Sequence, residues 1–149
     1  MVSVLSFVAY FIVGLSPAEA SNYVVSGRLD IPAINLSADV TSVEPKDSKL
    51  ETPDEIVGSY SRHKNKTFLV GHSSTVFQDL NNLKIGDYLK YNDSIYVVKN
   101  TQTLQKSEIS MNKILAEAEV DTVVIMTCAG QILSGGDATH RFIVTAEAL

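Results

Sequence analysis

One cysteine, Cys128, is all the thiol this chain contains. That excludes an internal disulfide, and it excludes a zinc site built on cysteines. Histidine is nearly as scarce. His63, His72 and His140 show neither an HExxH pattern nor close paired spacing, so the sequence carries no metal constellation of the usual kind. Positive charge is thin and scattered: 12 Lys and Arg against 17 Asp and Glu give a net charge of −5. The densest basic stretch, Arg62-His63-Lys64-Asn65-Lys66, is too small for a nucleic-acid footprint. A Walker or GxGxxG loop, an internal repeat and a low-complexity block are all missing.

What remains is 149 residues, 45% of them apolar, enough for one domain with a real core. The N-terminus stands apart. Val2 to Leu15 carries no charge, yet its 14 residues fall short of the ~20 that a full membrane helix needs. Ala18-Glu19-Ala20 has the A-x-A form of a cleavage site, so residues 1–20 read as a signal peptide or a short membrane anchor. The bland alternative is a buried first helix. Both targeting readings place residues 21–149 on the extracytoplasmic side of the cell membrane, anchored there or secreted after cleavage behind Ala20. An isolated cysteine in that compartment calls for a reason.

Beyond Ala20 the pattern is short and β-rich. Tyr23 to Val25 and Arg28 to Ile31 read as extended, stopped by Pro32, and Ala38 to Val43 alternates. Asp47 to Tyr60 is polar and punctuated by Pro and Gly, which predicts loop or short helix. Thr67 to Val70 is a strand running into Gly71-His72, and Val76 to Leu83 suits a helical turn or two. Tyr88 to Tyr91 and Ser94 to Thr103 flank Asn92-Asp93, a tight hairpin turn. Met111 to Ala118 has the apolar spacing of an amphipathic helix. Thr122 to Thr127 and Arg141 to Thr145 complete a set of seven or eight short strands. The predicted fold class is all-β, an antiparallel barrel with one or two short helices.

Cys128 lies at the exit of the β-branched run Thr122 to Thr127, on one strand face with Met126 and Val124. A turn at Ser134-Gly135-Gly136-Asp137 pairs this strand with the next. Centring it between Ser134 and Gly135 sets Cys128 opposite Arg141 and Val124 opposite Thr145. Phe68 and Val70 are expected to face the interior, which brings His72 out on the same side at the barrel rim. Thiol, imidazole and guanidinium then meet. A thiol with an ordinary pKa of ~8.5 is mostly protonated at neutral pH, and a nearby cation favours the nucleophilic thiolate. An imidazole shuttles protons to and from amines, and a guanidinium holds a carbonyl oxygen on which negative charge develops. That set suits acyl transfer through a thioester.

The segment Val124-Ile125-Met126-Thr127-Cys128 resembles the TLxTC signature of sortases, the cysteine transpeptidases of Gram-positive-type cell surfaces. Thr127 and Cys128 match it, while Val124 and Ile125 depart from its Thr and Leu. Gly71-His72 after an apolar strand is similar to the sortase histidine site. Arg141, opening an apolar strand 13 residues beyond the cysteine, resembles the sortase arginine. The order His, Cys, Arg and the 56-residue separation of His72 from Cys128 fit the family, as do Ile31-Pro32-Ala33 and the apolar N-terminus. The likeness covers about Gly27 to Leu149. It implies the eight-stranded sortase β-barrel and cleavage of a Leu-Pro-any-Thr-Gly-like sorting signal after Thr. It also implies transfer of the acyl group to an amine on a cell-wall precursor or a pilin. By the same resemblance Cys128 is the nucleophile, His72 the general acid/base and Arg141 the oxyanion stabiliser, with Thr127 and Met126 at the substrate.

Each of these residues has a plainer reading. Cys128 alone suits a buried small hydrophobe. His72 suits a loop cap beside Ser73 and Ser74. Arg141 suits a surface pair with Asp137, an arrangement that contributes little. His140, next to Arg141, is expected to point the other way. No cofactor is expected. Some sortases bind calcium, but Glu44, Asp47, Glu51, Asp54, Glu55 and Glu108 match no compact oxygen cage, and that question stays open. Two other functions compete with the transpeptidase: a cysteine hydrolase using the same trio, and a non-catalytic surface barrel that binds peptide or glycan. The SHGC-type motif of L,D-transpeptidases is absent.

Overall fold

Strands form over the β-branched and apolar runs, and Pro, Gly and Asn mark where each run stops. The computed structural model describes residues 23–47, 49–135 and 137–149. The signal or anchor expected at residues 1–20 lies outside them. Among the described residues there are eight strands. They are β1 (Val25–Ile31), β2 (Leu36–Ser42), β3 (Val57–His63), β4 (Lys66–Val70), β5 (Tyr88–Tyr91), β6 (Ser94–Gln105), β7 (Thr122–Ile132) and β8 (Ala138–Ala148). Pro32 opens a single 3-10 turn behind β1, and Asn35 takes a left-handed φ of 52° to send the chain back as β2. Asn92 does the same in the β5–β6 hairpin, at φ 55°.

The strands close into a barrel in the order β1-β2-β3-β4-β7-β8-β6-β5. The expectation of a wholly antiparallel barrel is corrected at two seams, β2–β3 and β4–β7, which are parallel. Both join strands separated by long connections, as parallel pairing requires. Two local expectations also change. The stretch Asp47 to Tyr60 hides the start of β3, whose Gly58, Ser59 and Ser61 dilute its strand signal although it pairs on both sides. The helix expected over Met111 to Ala118 is one turn, α1 (Met111–Ile114), with Ser110 as its N-cap. Asn65 clamps the backbone of Ala118 from both sides and Lys66 takes the carbonyl of Ala116, so the groups that would extend the helix bond elsewhere.

The interior follows strand alternation. Leu29, Ile31, Val40, Val57, Leu69, Leu89, Val98, Val123, Ile125 and Val144 point inward and are fully buried, with Phe77 and Leu80 packed against them from the β4–β5 connection. A second apolar cluster lies on the outer face: Phe68 of β4, Val124 of β7 and Ile143 of β8, roofed by Leu115 just beyond α1. The expected inward facing of Phe68 and Val70 is therefore corrected, since Leu69 takes the interior and its two neighbours take the outer face. This explains why Thr122 to Ile125 reads as a continuous apolar run, for the strand is covered on both sides there.

Candidate active site

The outer face of β7 and β8 carries Cys128 and Arg141, two of the sequence-predicted residues. β7 and β8 pair with Cys128 opposite Arg141, Met126 opposite Ile143 and Val124 opposite Thr145. Directly paired residues share a sheet face. Val124 and Ile143 belong to the outer cluster, so Cys128 and Arg141 emerge on that face as well. The register slips by one residue just beyond, between Ala129 and Ile132. Gly130 takes a φ of 77° there, and a Cβ on it would sit 2.5 Å from the Thr139 hydroxyl. Glycine is what the bulge demands. It ends regular pairing two residues after the thiol. Cys128 is half-buried and unpaired.

The parallel β4–β7 seam brings in the histidine. Lys66 lies beside Thr122 and Val70 beside Met126, a constant offset of 56. That equals the sequence separation of His72 from Cys128. Backbone pairing stops at Val70, but the Thr127 hydroxyl donates to the Gly71 carbonyl at 2.7 Å and carries the alignment one step further. His72 follows directly, two residues past the last paired residue of β4. It is exposed, with Nε2 3.0 Å from the Thr52 carbonyl oxygen. Its own carbonyl accepts the N–H of Phe77 at 3.0 Å, which turns the chain sharply after the histidine. Gly71 is needed for that turn to pack, because a Cβ there would lie 2.7 Å from both Phe77 and Val76 side-chain carbons.

Arg141 is largely enclosed, with its side chain 17% exposed. One terminal nitrogen donates to the Ala138 and His140 carbonyls at 3.2 and 3.0 Å, and the other donates to Asp137 Oδ1 at 2.9 Å. Asp137 also accepts from Lys106. Hydrogen bonds from Lys106, the Ala138 backbone N–H and Arg141 hold its carboxyl well below the usual carboxylate range. A guanidinium has five N–H donors, and three are used in these contacts.

Thr127, expected at the substrate, is 4% exposed, and its hydroxyl is bonded to Gly71. It frames the site from beneath. Met126 is half-buried against the outer cluster, on the face that carries Cys128. His140 sits on the opposite strand face from Arg141, with Nδ1 2.7 Å from the Thr139 hydroxyl oxygen. The geometry adds Asp137 and Lys106 to the residues read from sequence. Asp137 was legible only as a surface partner of Arg141; Lys106 gave no signal, because it enters through the β6–β8 pairing of Gln105 with His140.

Two residues back from Met126 on this face, Val124 begins a trench of about 410 Å³. Val124, Ile143, Leu104, Ile109 and Ile114 give it apolar surface, and eight polar or charged residues, Lys66 and Glu147 among them, line the rest. Across the His72 connection a second hollow of about 460 Å³ lies between Ile34 and Leu36 on one side and Ser74 to Val76 on the other. Among the described residues no three His, Cys, Asp or Glu side chains gather as a metal site.

The family model described as Sortase domain matches residues 29–149. The chain belongs to the sortase family. Its fold agrees with solved sortases. Sortase C1 of Streptococcus agalactiae is 21% identical over 84% of this chain and 67% of that one, with a TM-score of 0.64. Sortase A of Listeria monocytogenes is 19% identical over 84% and 87%, with a TM-score of 0.65. A lid mutant of sortase A from Corynebacterium diphtheriae is 20% identical over 85% and 71%, with a TM-score of 0.66. At these identities the likeness carries the fold and nothing finer. No curated protein sequence matches the chain. Sortases are cysteine transpeptidases, and this chain is an enzyme of that type. The family acts on proteins that carry a sorting signal and on amine acceptors.

Proposed function

We propose that this sortase cleaves a Leu-Pro-any-Thr-Gly-like sorting signal between Thr and Gly and joins the new carboxyl end to an amine on a cell-wall precursor or a pilin. The observation that supports this best is the pairing of Cys128 with Arg141 on the outer face of β7 and β8, while β4 runs in register beside β7 toward His72, with a partly apolar trench on the same face. The Cys128 thiolate attacks the Thr carbonyl carbon, and the carbonyl π electrons move to oxygen. The two N–H groups of Arg141 outside its present contacts stabilise that oxyanion. As it collapses, His72 protonates the departing glycine amine and a thioester remains on Cys128. An incoming amine gives its proton to His72, attacks the thioester and releases the thiolate. The trench suits the Leu and Pro side of the signal, with Met126 between it and the thiol. Residues 1–20 hold or deliver the domain to the extracytoplasmic face of the membrane.

The test is mass spectrometry of the protein incubated with a library of sorting-signal peptides, with and without triglycine. A thioester adduct on Cys128 that partitions to the triglycine product is expected. A partition that ignores the amine indicates a hydrolase, and full activity in Cys128→Ala rejects the covalent mechanism altogether.

A further inference from the structure

Arg141 ends in a long flexible side chain, and holding such a group in one rotamer is costly in entropy. Its Nη1 contacts are both to carbonyls of its own strand. Asp137 supplies the one side-chain contact that fixes the other terminal nitrogen, at 2.9 Å. Asp137 is itself held from two directions. Its Oδ1 accepts the Ala138 backbone N–H at 2.8 Å, and its Oδ2 accepts from Lys106. Lys106 begins the 3-10 turn Lys106–Glu108, the first element of the β6–β7 connection that walls the trench. Asp137 belongs to the β7–β8 connection on the other side of Arg141. One carboxylate therefore spans two loops and separates two cations that would otherwise repel.

We propose that Asp137 is a positioning residue for Arg141, aiming its unused N–H groups at the carbonyl beside Cys128, with Lys106 locking the carboxylate in register. This rests on the role assigned to Arg141 above. Stability does not account for the arrangement. The Asp137 and Lys106 side chains are 44% and 46% exposed, and pairs so open to water add little to stability. The same exposure means that Asp137→Ala folds, so its activity can be read directly.

The experiment is a double-mutant cycle on single-turnover acylation by a fluorogenic Leu-Pro-Glu-Thr-Gly peptide, with steady-state kinetics in triglycine alongside. In the native background Asp137→Ala lowers kcat roughly tenfold and leaves KM within about twofold, the signature of a misaimed transition-state contact. Asp137→Asn keeps an acceptor for Arg141 and recovers most of the rate. In the Arg141→Ala background, removing Asp137 changes acylation by less than about twofold, because the two act as one unit. An equal loss in both backgrounds, or full activity of Asp137→Ala, overturns the proposal. Undiminished acylation by Arg141→Ala rejects the role of Arg141 itself, and with it this inference; that result is distinct from a loss confined to Asp137.

Discussion

Replacing Thr127 by valine removes one hydroxyl and keeps the shape. The hydroxyl is 4% exposed with its residue and donates to the Gly71 carbonyl at 2.7 Å. It ties β7 to the chain just past the end of β4, joining the residue before Cys128 to the residue before His72. Its loss removes a net hydrogen bond and leaves a buried acceptor short of a partner, together about 1–3 kcal/mol. For a domain of this size that lowers Tm by roughly 3–10 °C. The effect on rate is larger than the effect on fold. A displacement of the histidine by about an ångström costs up to ~100-fold in turnover. Thermal melting by circular dichroism gives the first quantity and single-turnover acylation the second, with Thr127→Ser as the control that restores the hydroxyl. A valine variant that melts and acylates like the native protein refutes the view that this bond sets the histidine beside the thiol.

Other consequences are as direct. Gly71→Ala forces a Cβ to within 2.7 Å of Val76 and Phe77 carbons, so it destabilises by about 1–3 kcal/mol and lowers acylation more than binding; a kcat/KM series with matched melting curves reads both. Leu115→Ala empties the roof over Phe68, Val124 and Ile143, at about 2–5 kcal/mol, and raises KM for the peptide, which substrate titration measures. The Tyr96 hydroxyl donates to Asp121 at 3.0 Å, and burial first, then that carboxylate, push its pKa from 10.0 up to about 12. Because the folded state holds the proton more tightly, this stabilisation is complete below pH 10 and is lost as pH rises toward 12. Denaturant midpoints across that range are expected to fall more steeply for the native protein than for Tyr96→Phe.

The barrel and the pairing of Cys128 with Arg141 are legible because each rests on a local pattern. Turn residues at 134–137 set the β7–β8 register, and that register alone placed Cys128 against Arg141. The argument that carries His72 outward along β4 has its supports reversed. Phe68 and Val70 face outward, and they escaped notice because β4 is covered on both faces, where apolar character no longer distinguishes inside from outside. β3 was missed since its Gly and Ser content mimics a loop, while its strand identity comes from neighbours distant in sequence. The helix was overextended because the competing bonds to Asn65 and Lys66 are tertiary. Lys106 and the second bond to Asp137 are likewise products of folding, invisible to spacing.

The parallel seam between β4 and β7 has a consequence for how such an enzyme is rebuilt. Interstrand bonds, and not chain length, fix where the chain that leads to the histidine leaves β4 beside β7. The connection from β6 to Asp121 is an excursion between strands that the barrel holds fixed. The segment from Ser110 to Val120 can therefore be exchanged for a longer or shorter one, provided that Asn65 keeps a backbone to clamp and an apolar side chain still roofs Phe68, Val124 and Ile143 as Leu115 does. Selectivity then travels with the graft while the chemistry stays where it is.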